Sequence, residues 1–259
     1  MIFLCYRANR TINNLVSRAT TTAPLYEFTA EDGVEHIIWR VADTEDLIQA
    51  FTEVPALYIA DGHHRAASAS RAREILKEKG IAGDYDYFVA AMFPAEELKI
   101  LAYNRAVKEL NDLSDEEFLM RVRENFIVTE TGVHVPERRG EFCLYLSGKW
   151  YKLVFNVQFF RQPEPVDALD VSVLQDFLLA PILGIQDVRT DNRIDFVGGA
   201  RGARGLEKLV NEGRARAAFS LFPTSINDLL TISDAGQIMP PKSTWFEPKL
   251  RDGLLIHVF

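Results

Sequence analysis

The chain has 259 residues, 47% of them hydrophobic and 25% charged, a balance expected of a globular fold with room for one large or two modest cores. Its formal charge of −8 argues against a non-specific grip on DNA, RNA or anionic membranes. Two cysteines, Cys5 and Cys143, are too few and too scattered for a disulfide framework or a zinc site, so a reducing cytoplasm is the expected setting. No stretch approaches a transmembrane span, and the apolar start is too short for a signal sequence.

Taken in order, residues 2–6 read as a strand. Residues 25–29 and 34–41 flank Glu31-Asp32-Gly33, a hairpin signal, and His36 falls on the polar face of the second strand. Asp43 or Thr44 caps a short helix with Leu47, Ile48 and Phe51 on one side. Residues 54–60 form an apolar run without alternation, the pattern of a buried strand in a largely parallel sheet. Asp61-Gly62 breaks that run. Residues 66–79 then carry Ala66, Ala69, Ala72, Ile75 and Leu76 at helical spacing, and Gly80 supplies a stop. Residues 88–93 and 98–103 read as further strands, the second leading into Tyr103-Asn104-Arg105.

The character changes near residue 111. Ser114 to Glu117 is a capping box that opens a helix. Residues 126–129 and 142–155 read as antiparallel strands, with a turn at Ser147-Gly148-Lys149. The arginines of Pro136-Glu137-Arg138-Arg139-Gly140 read as solvated. Asp167 or Asp170 starts a helix that Pro181 and Gly184 end. Arg193 leads into a strand that ends at Gly198-Gly199. With Gly202 and Gly205 these glycines match neither the dinucleotide fingerprint nor the Walker spacing, so they are a weak phosphate-loop signal. A strand over 215–222 and a helix capped by Thr224 or Ser225 complete a second strand–helix unit. Residues 240–249 form a proline-stiffened loop ahead of a closing strand at 254–259. The expected organisation is an α/β (α+β) fold built on a mixed sheet, with residues 1–110 as a phosphate-binding part and 111–259 as a second α/β part.

The chemistry concentrates at Asp61-Gly62-His63-His64-Arg65, where a strand becomes a helix. The first N–H groups of a helix lack internal partners and lie at the positive end of its dipole. A glycine lets a ligand approach the backbone, and a guanidinium grips phosphate with two N–H bonds. Arg65 in a first turn is electrostatically misplaced unless an anion sits there. The plainer reading stands beside this one: Asp61 as an ordinary cap for the N–H of His63 or His64, the imidazoles bonded within a crowded turn, and Arg65 paired with a carboxylate. Further donors suited to phosphate are Asn104 and Arg105 at a strand end, and Lys242, Ser243, Thr244 and Lys249 in the proline loop.

Several blocks recur together: residues 54–65 ending in Asp61-Gly62-His63-His64-Arg65, Tyr103-Asn104-Arg105, Arg193 to Gly199, Phe222-Pro223-Thr224 and Met239 to Lys249. In this order they resemble the bacterial domain-of-unknown-function family one thousand and fifteen over essentially the whole chain. More distantly, the turn resembles the partition-protein/sulfiredoxin superfamily, whose branch of free serine kinases has a similar Asp-Gly-His-His-Arg turn. That resemblance implies phosphorylation of a hydroxyl compound, free L-serine first, with ATP or ADP as donor. It makes Asp61, His63, His64 and Arg65 the catalytic set and Gly62 part of the phosphate cradle, with Asp61 as a candidate Mg²⁺ ligand. Family members are longer at the N-terminus and carry a His-Glu motif there. The expectation is that this chain begins inside the pattern and exposes apolar surface or a sheet edge.

Two alternatives belong to other classes. One is a nucleotide-binding switch module of the partition-protein type that moves no phosphate. The other is a metal-dependent hydrolase using Asp61, His63 and His64. Expected partners are a nucleotide and a small molecule, with no nucleic acid and no membrane; homo-oligomerisation stays open.

Overall fold

In the computed structural model, residues 1–159, 163–247, 249–251 and 253–258 are described. The chain forms two compact units, residues 1–98 with 249–259, and residues 99–248. The division expected near residue 110 and these units differ in where they assign residues 99–110 and 249–259.

The first unit opens with β1 (Ile2–Tyr6), all five residues of which are buried. Next comes α1 (Arg10–Ala19), capped by Asn9, whose side chain accepts from the N–H groups of Thr11 and Ile12. The sequence reading passed over this helix, although Ile12, Leu15 and Val16 sit at helical spacing. The hairpin forms as expected from β2 (Tyr26–Thr29) and β3 (Glu35–Ile38). Gly33 adopts φ 80° in its turn, and Asp32 accepts from the N–H of Val34. α2 (Glu45–Thr52), β4 (Tyr58–Asp61), α3 (His63–Glu78) and β5 (Ala90–Pro94) follow. Tyr6, Ile12 and Ala50 form a small core with Leu15, Leu47, Phe51 and Val54 around it.

The three-stranded sheet runs β4-β1-β5, with β4 antiparallel and β5 parallel to β1. The sheet is therefore mixed, as the fold class requires, but β4 departs from expectation. It is a four-residue strand at an edge of this sheet among the described residues, not a buried parallel strand. Only Tyr58 and Ala60 of it are buried. Residues 54–57 lie outside any strand because Pro55 has no N–H to give a ladder.

The second unit begins with β6 (Lys99–Leu101) and β7 (Tyr103–Val107), two short strands where one was expected. It continues with α4 (Asp115–Val122), β8 (Phe126–Thr131), β9 (Glu141–Leu146) and β10 (Lys149–Phe155). The capping box of Ser114 and Glu117 forms at the start of α4. β9 and β10 turn through Ser147 and Gly148, both at positive φ. α5 (Asp170–Leu174) is fully buried and runs on as a wider turn over Gln175–Leu179. β11 (Ile194–Gly198), α6 (Gly202–Asn211), β12 (Ala217–Leu221), α7 (Ile226–Asp234) and β13 (Trp245–Glu247) complete it.

The six-stranded sheet has the order β11-β7-β12-β9-β10-β8, and each of its pairings among the described residues is antiparallel. β11 and β12 flank β7 instead of pairing with each other, so α6 carries the chain across one intervening strand. The core beneath joins Val107, Phe118, Phe142, Leu144, Leu153, Leu174, Leu178 and Phe219. The closing strand expected at 254–259 does not form among the described residues. The strand of that region lies earlier, at β13, which pairs with β6. Asp252 and Phe259 lie outside the described residues, as does Pro248 of the proline loop. No helix among the described residues is long and apolar enough to cross a membrane.

Candidate functional site

Asp61 is the last residue of β4, and its position is set by an irregularity. Phe3 is paired with Asp61 but Leu4 with Ile59, so Ala60 is the extra residue of a bulge. Bulges re-aim the side chains beside them. Gly62 follows at φ 95°, ψ 24°, a left-handed conformation that other residues adopt only with strain. α3 starts at once, and Ala66 N–H donates to the Gly62 carbonyl at 2.9 Å.

No side chain caps this helix start. Asp61 uses one oxygen to accept from the N–H of Gly62 at 2.9 Å, and the other lies 3.4 Å from Arg65 Nη2. The plain reading of Asp61 as cap for His63 or His64 therefore does not hold. The plain reading of Arg65 as an ion-pair partner does, although both side chains of that pair are about half exposed (49% and 57%). The guanidinium curls back over Gly62: a Cβ there would lie 3.0 Å from Arg65 Nε. An exposed pair of this kind is worth about 0–1 kcal/mol, so an anion can draw the guanidinium away at little cost.

A cleft of about 760 Å³ opens beside the turn. His64, Arg65 and Ser68 of α3 supply polar lining, Ala69 and Ala72 continue along the same helix, and Phe88 and Val89 face them. Met1 and Ile2 at the start of the chain and Gly253, Leu255, Ile256 and His257 near its end complete the lining. Ser68 was missed from sequence. Its spacing of four from His64 and three from Arg65, which puts it on their helix face, was the available signal. His257 carried no local signal at all. His63 is exposed but does not line the cleft. Among the described residues, no group of three or more His, Cys, Asp or Glu side chains is placed to hold a metal ion.

The other candidate donors belong to the second unit, except Lys249. Arg105 is buried and donates to the carbonyls of Tyr103 at 2.6 Å and Lys242 at 2.9 Å. Its guanidinium also stacks 4.6 Å from the centre of the Phe196 ring. Burial pulls its pKa down to about 9. Asn104 is buried as well and accepts from the N–H of Leu221 at 3.0 Å. The Ser243 carbonyl accepts from the Thr224 hydroxyl at 3.0 Å. Lys242 is exposed at φ 55°, with its ammonium 5.7 Å from the Tyr103 ring centre, and Thr244 is half-buried. Arg105 and Lys242 are thus brought together, with the arginine supporting the backbone of the loop. Lys249 is exposed in the segment that returns to the first unit.

The glycine signal at the end of β11 has a packing cause. A Cβ on Gly198 would meet the Trp245 ring at 2.5 Å, and one on Gly199 the Ala102 carbonyl at 2.8 Å. Arg193 is held at 2.7 Å by Asp191 and donates to the carbonyls of Leu183 and Gly184, which ties the start of β11 to the turn before it. Arg139, read as solvated, instead donates to the Ala168 carbonyl and pairs with Asp228 at 3.0 Å.

Comparison with known proteins gives no match among curated proteins. Among solved structures, a free serine kinase in complex with AMP is similar at 14% identity and a TM-score of 0.40, over 95% of this chain and 83% of that one. A conserved hypothetical protein from Pyrococcus furiosus is similar at 14% identity and 0.39, over 94% and 86%. A mutant free serine kinase in complex with ADP is similar at 14% and 0.38, over 94% and 83%. Likenesses at this level assign no ligand and no activity to this chain. The family described as "Protein of unknown function (DUF1015)" matches residues 1–172, most of the 259, and the chain belongs to it.

Proposed function

We propose that the turn at residues 61–65 holds the phosphates of ATP or ADP, and that the chain is a small-molecule kinase acting on a hydroxyl compound, free L-serine first. One observation carries this reading: a helix start without a capping side chain, whose His64 and Arg65 line a cleft. The sequence resemblance of the Asp-Gly-His-His-Arg turn to free serine kinases supplies the acceptor. In this reading the backbone N–H groups of residues 63–65, the imidazoles and the guanidinium neutralise the transferred phosphoryl group. Arg65 leaves Asp61 for a phosphate oxygen. Asp61 then takes the proton of the attacking hydroxyl as its oxygen bonds to phosphorus and the bond to the departing nucleotide breaks. Mg²⁺ bound to the phosphates would find a carboxylate ligand in Asp61. Lys242, Ser243, Thr244 and Lys249 remain secondary candidates for phosphate contact, and Asn104 and Arg105 serve as supports of the second unit.

The nucleotide-binding switch is the second reading. It is favoured by the engagement of both Asp61 oxygens, which suits holding a ligand more than accepting a proton. Transfer of labelled phosphate from ATP or ADP to L-serine separates the two. The assay is run on this chain and on a form extended at its start as in the longer family members. Turnover in either that falls at least a hundredfold in Asp61→Asn supports the kinase. Tight nucleotide binding without transfer in both, unaffected by serine, leaves the switch.

A further inference from the structure

Part of the cleft lining comes from a segment far from α3 in sequence. Residues 99–248 build the second unit, and the chain then returns to the first, where Gly253, Leu255, Ile256 and His257 line the cleft. This wall is neither helix nor strand. Gly253 stands at φ 84° with nothing within 4 Å of where a Cβ would be, so it can act as an open pivot. Leu255 is 52% exposed and Ile256 77%, so apolar side chains that face the cleft remain largely in water.

Polar contacts hold the segment at both ends. Arg251 Nη1 lies 3.9 Å from Asp32 Oδ2, and His257 Nε2 lies 3.0 Å from the Asp84 carbonyl oxygen and 3.8 Å from its carboxylate. Asp84 belongs to the connection between α3 and β5, the same connection that supplies Phe88 and Val89 to the lining. A segment with half-exposed apolar groups, no ladder of its own and polar anchors opens locally at low cost. A ligand filling the cleft would cover Leu255 and Ile256 and so reward the closed position. A small polar acceptor such as serine could not do this, because the surface on offer is apolar.

We propose that residues 253–258 are a strap over the cleft, anchored by His257 at Asp84, which opens to admit a ligand and closes on its apolar body. That body belongs to a molecule whose anionic end reaches His64 and Arg65. The proposal rests on the reading of the turn as a phosphate site and adds a moving wall to it. It makes Ile256 and His257 positioning residues for the part of the ligand remote from the phosphate.

Hydrogen exchange of the full chain, with and without ADP, tests both levels. The strap amides exchange fast in the free protein and gain at least tenfold protection with ADP, alongside residues 62–69. In His257→Ala the dissociation rate of ADP rises about tenfold, while protection of residues 62–69 at saturating ADP stays as in the parent chain. Protection of 62–69 with an unchanged strap, or an unchanged dissociation rate in His257→Ala, overturns the strap and leaves the phosphate site standing. No protection anywhere at millimolar ADP overturns the phosphate reading and the strap with it.

Discussion

Gly62 stands at φ 95° with the Arg65 guanidinium resting where its side chain would be, so one residue supplies both the turn and the room for the cation. The Asp61–Arg65 contact explains how a cation is tolerated at a positive helix end: a neighbouring carboxylate supplies the negative charge. A different carboxylate shows what burial costs. Asp170 is 7% exposed, accepts from the N–H of Gly140 at 2.9 Å, and has its second oxygen buried without a hydrogen-bond partner. Burial pushes its pKa up from 3.8 to about 6, against the opposing pull of Gly140 N–H and Arg139. Between those values the folded chain binds more protons than the unfolded one, so this group makes stability fall as pH rises through the window. Asp170→Asn keeps an acceptor for Gly140 and removes the buried charge. The variant should gain roughly 1–3 kcal/mol over the parent at pH 8 and about half as much at pH 5. Urea unfolding at the two pH values measures this; an equal difference at both would contradict it.

The elements most legible in the sequence were those with local instructions. The capping box at Ser114, the cap at Ser225 (one of the two residues expected there), the hairpin turn at Gly33 and the turn at Ser147-Gly148 all formed where their residues said, because each is decided within a few positions. β4 was misjudged because an apolar run cannot tell a central parallel strand from an edge; its antiparallel pairing with β1 is a long-range fact. The split of residues 99–107 into β6 and β7 likewise depends on distant partners, β13 for one and β11 and β12 for the other. The glycines at and after the end of β11 were read as a weak phosphate loop, and the packing cause at Gly198 needed Trp245, nearly fifty residues on. Gly198→Ala should therefore cost about 1–3 kcal/mol through overpacking against the Trp245 ring. A thermal shift of that size with β13 displaced bears this out; a neutral substitution would show that the ring has room.

Across the whole chain, the candidate phosphate donors named from sequence divide between the two units. Asp61 to Arg65 lie in the first, and Asn104, Arg105 and Lys242 to Thr244 in the second. The turn itself was readable because acid, glycine, imidazoles and guanidinium are contiguous. The cleft was not, since Phe88, Val89, Gly253 and residues 255–257, which line it with α3, come from separate parts of the chain. The roles of Asn104 and Arg105 were also hidden, because only the fold shows that their polar atoms are spent on the backbone of Leu221, Tyr103 and Lys242. The account as a whole rests on an anion replacing the Asp61 carboxylate at Arg65. A crystal structure of the chain with ADP tests that directly. It should show a phosphate oxygen within hydrogen-bond reach of the backbone N–H groups of residues 63–65, with the Arg65 guanidinium turned from Asp61 onto the phosphate. ADP bound elsewhere, with the Asp61–Arg65 pair intact, would contradict it.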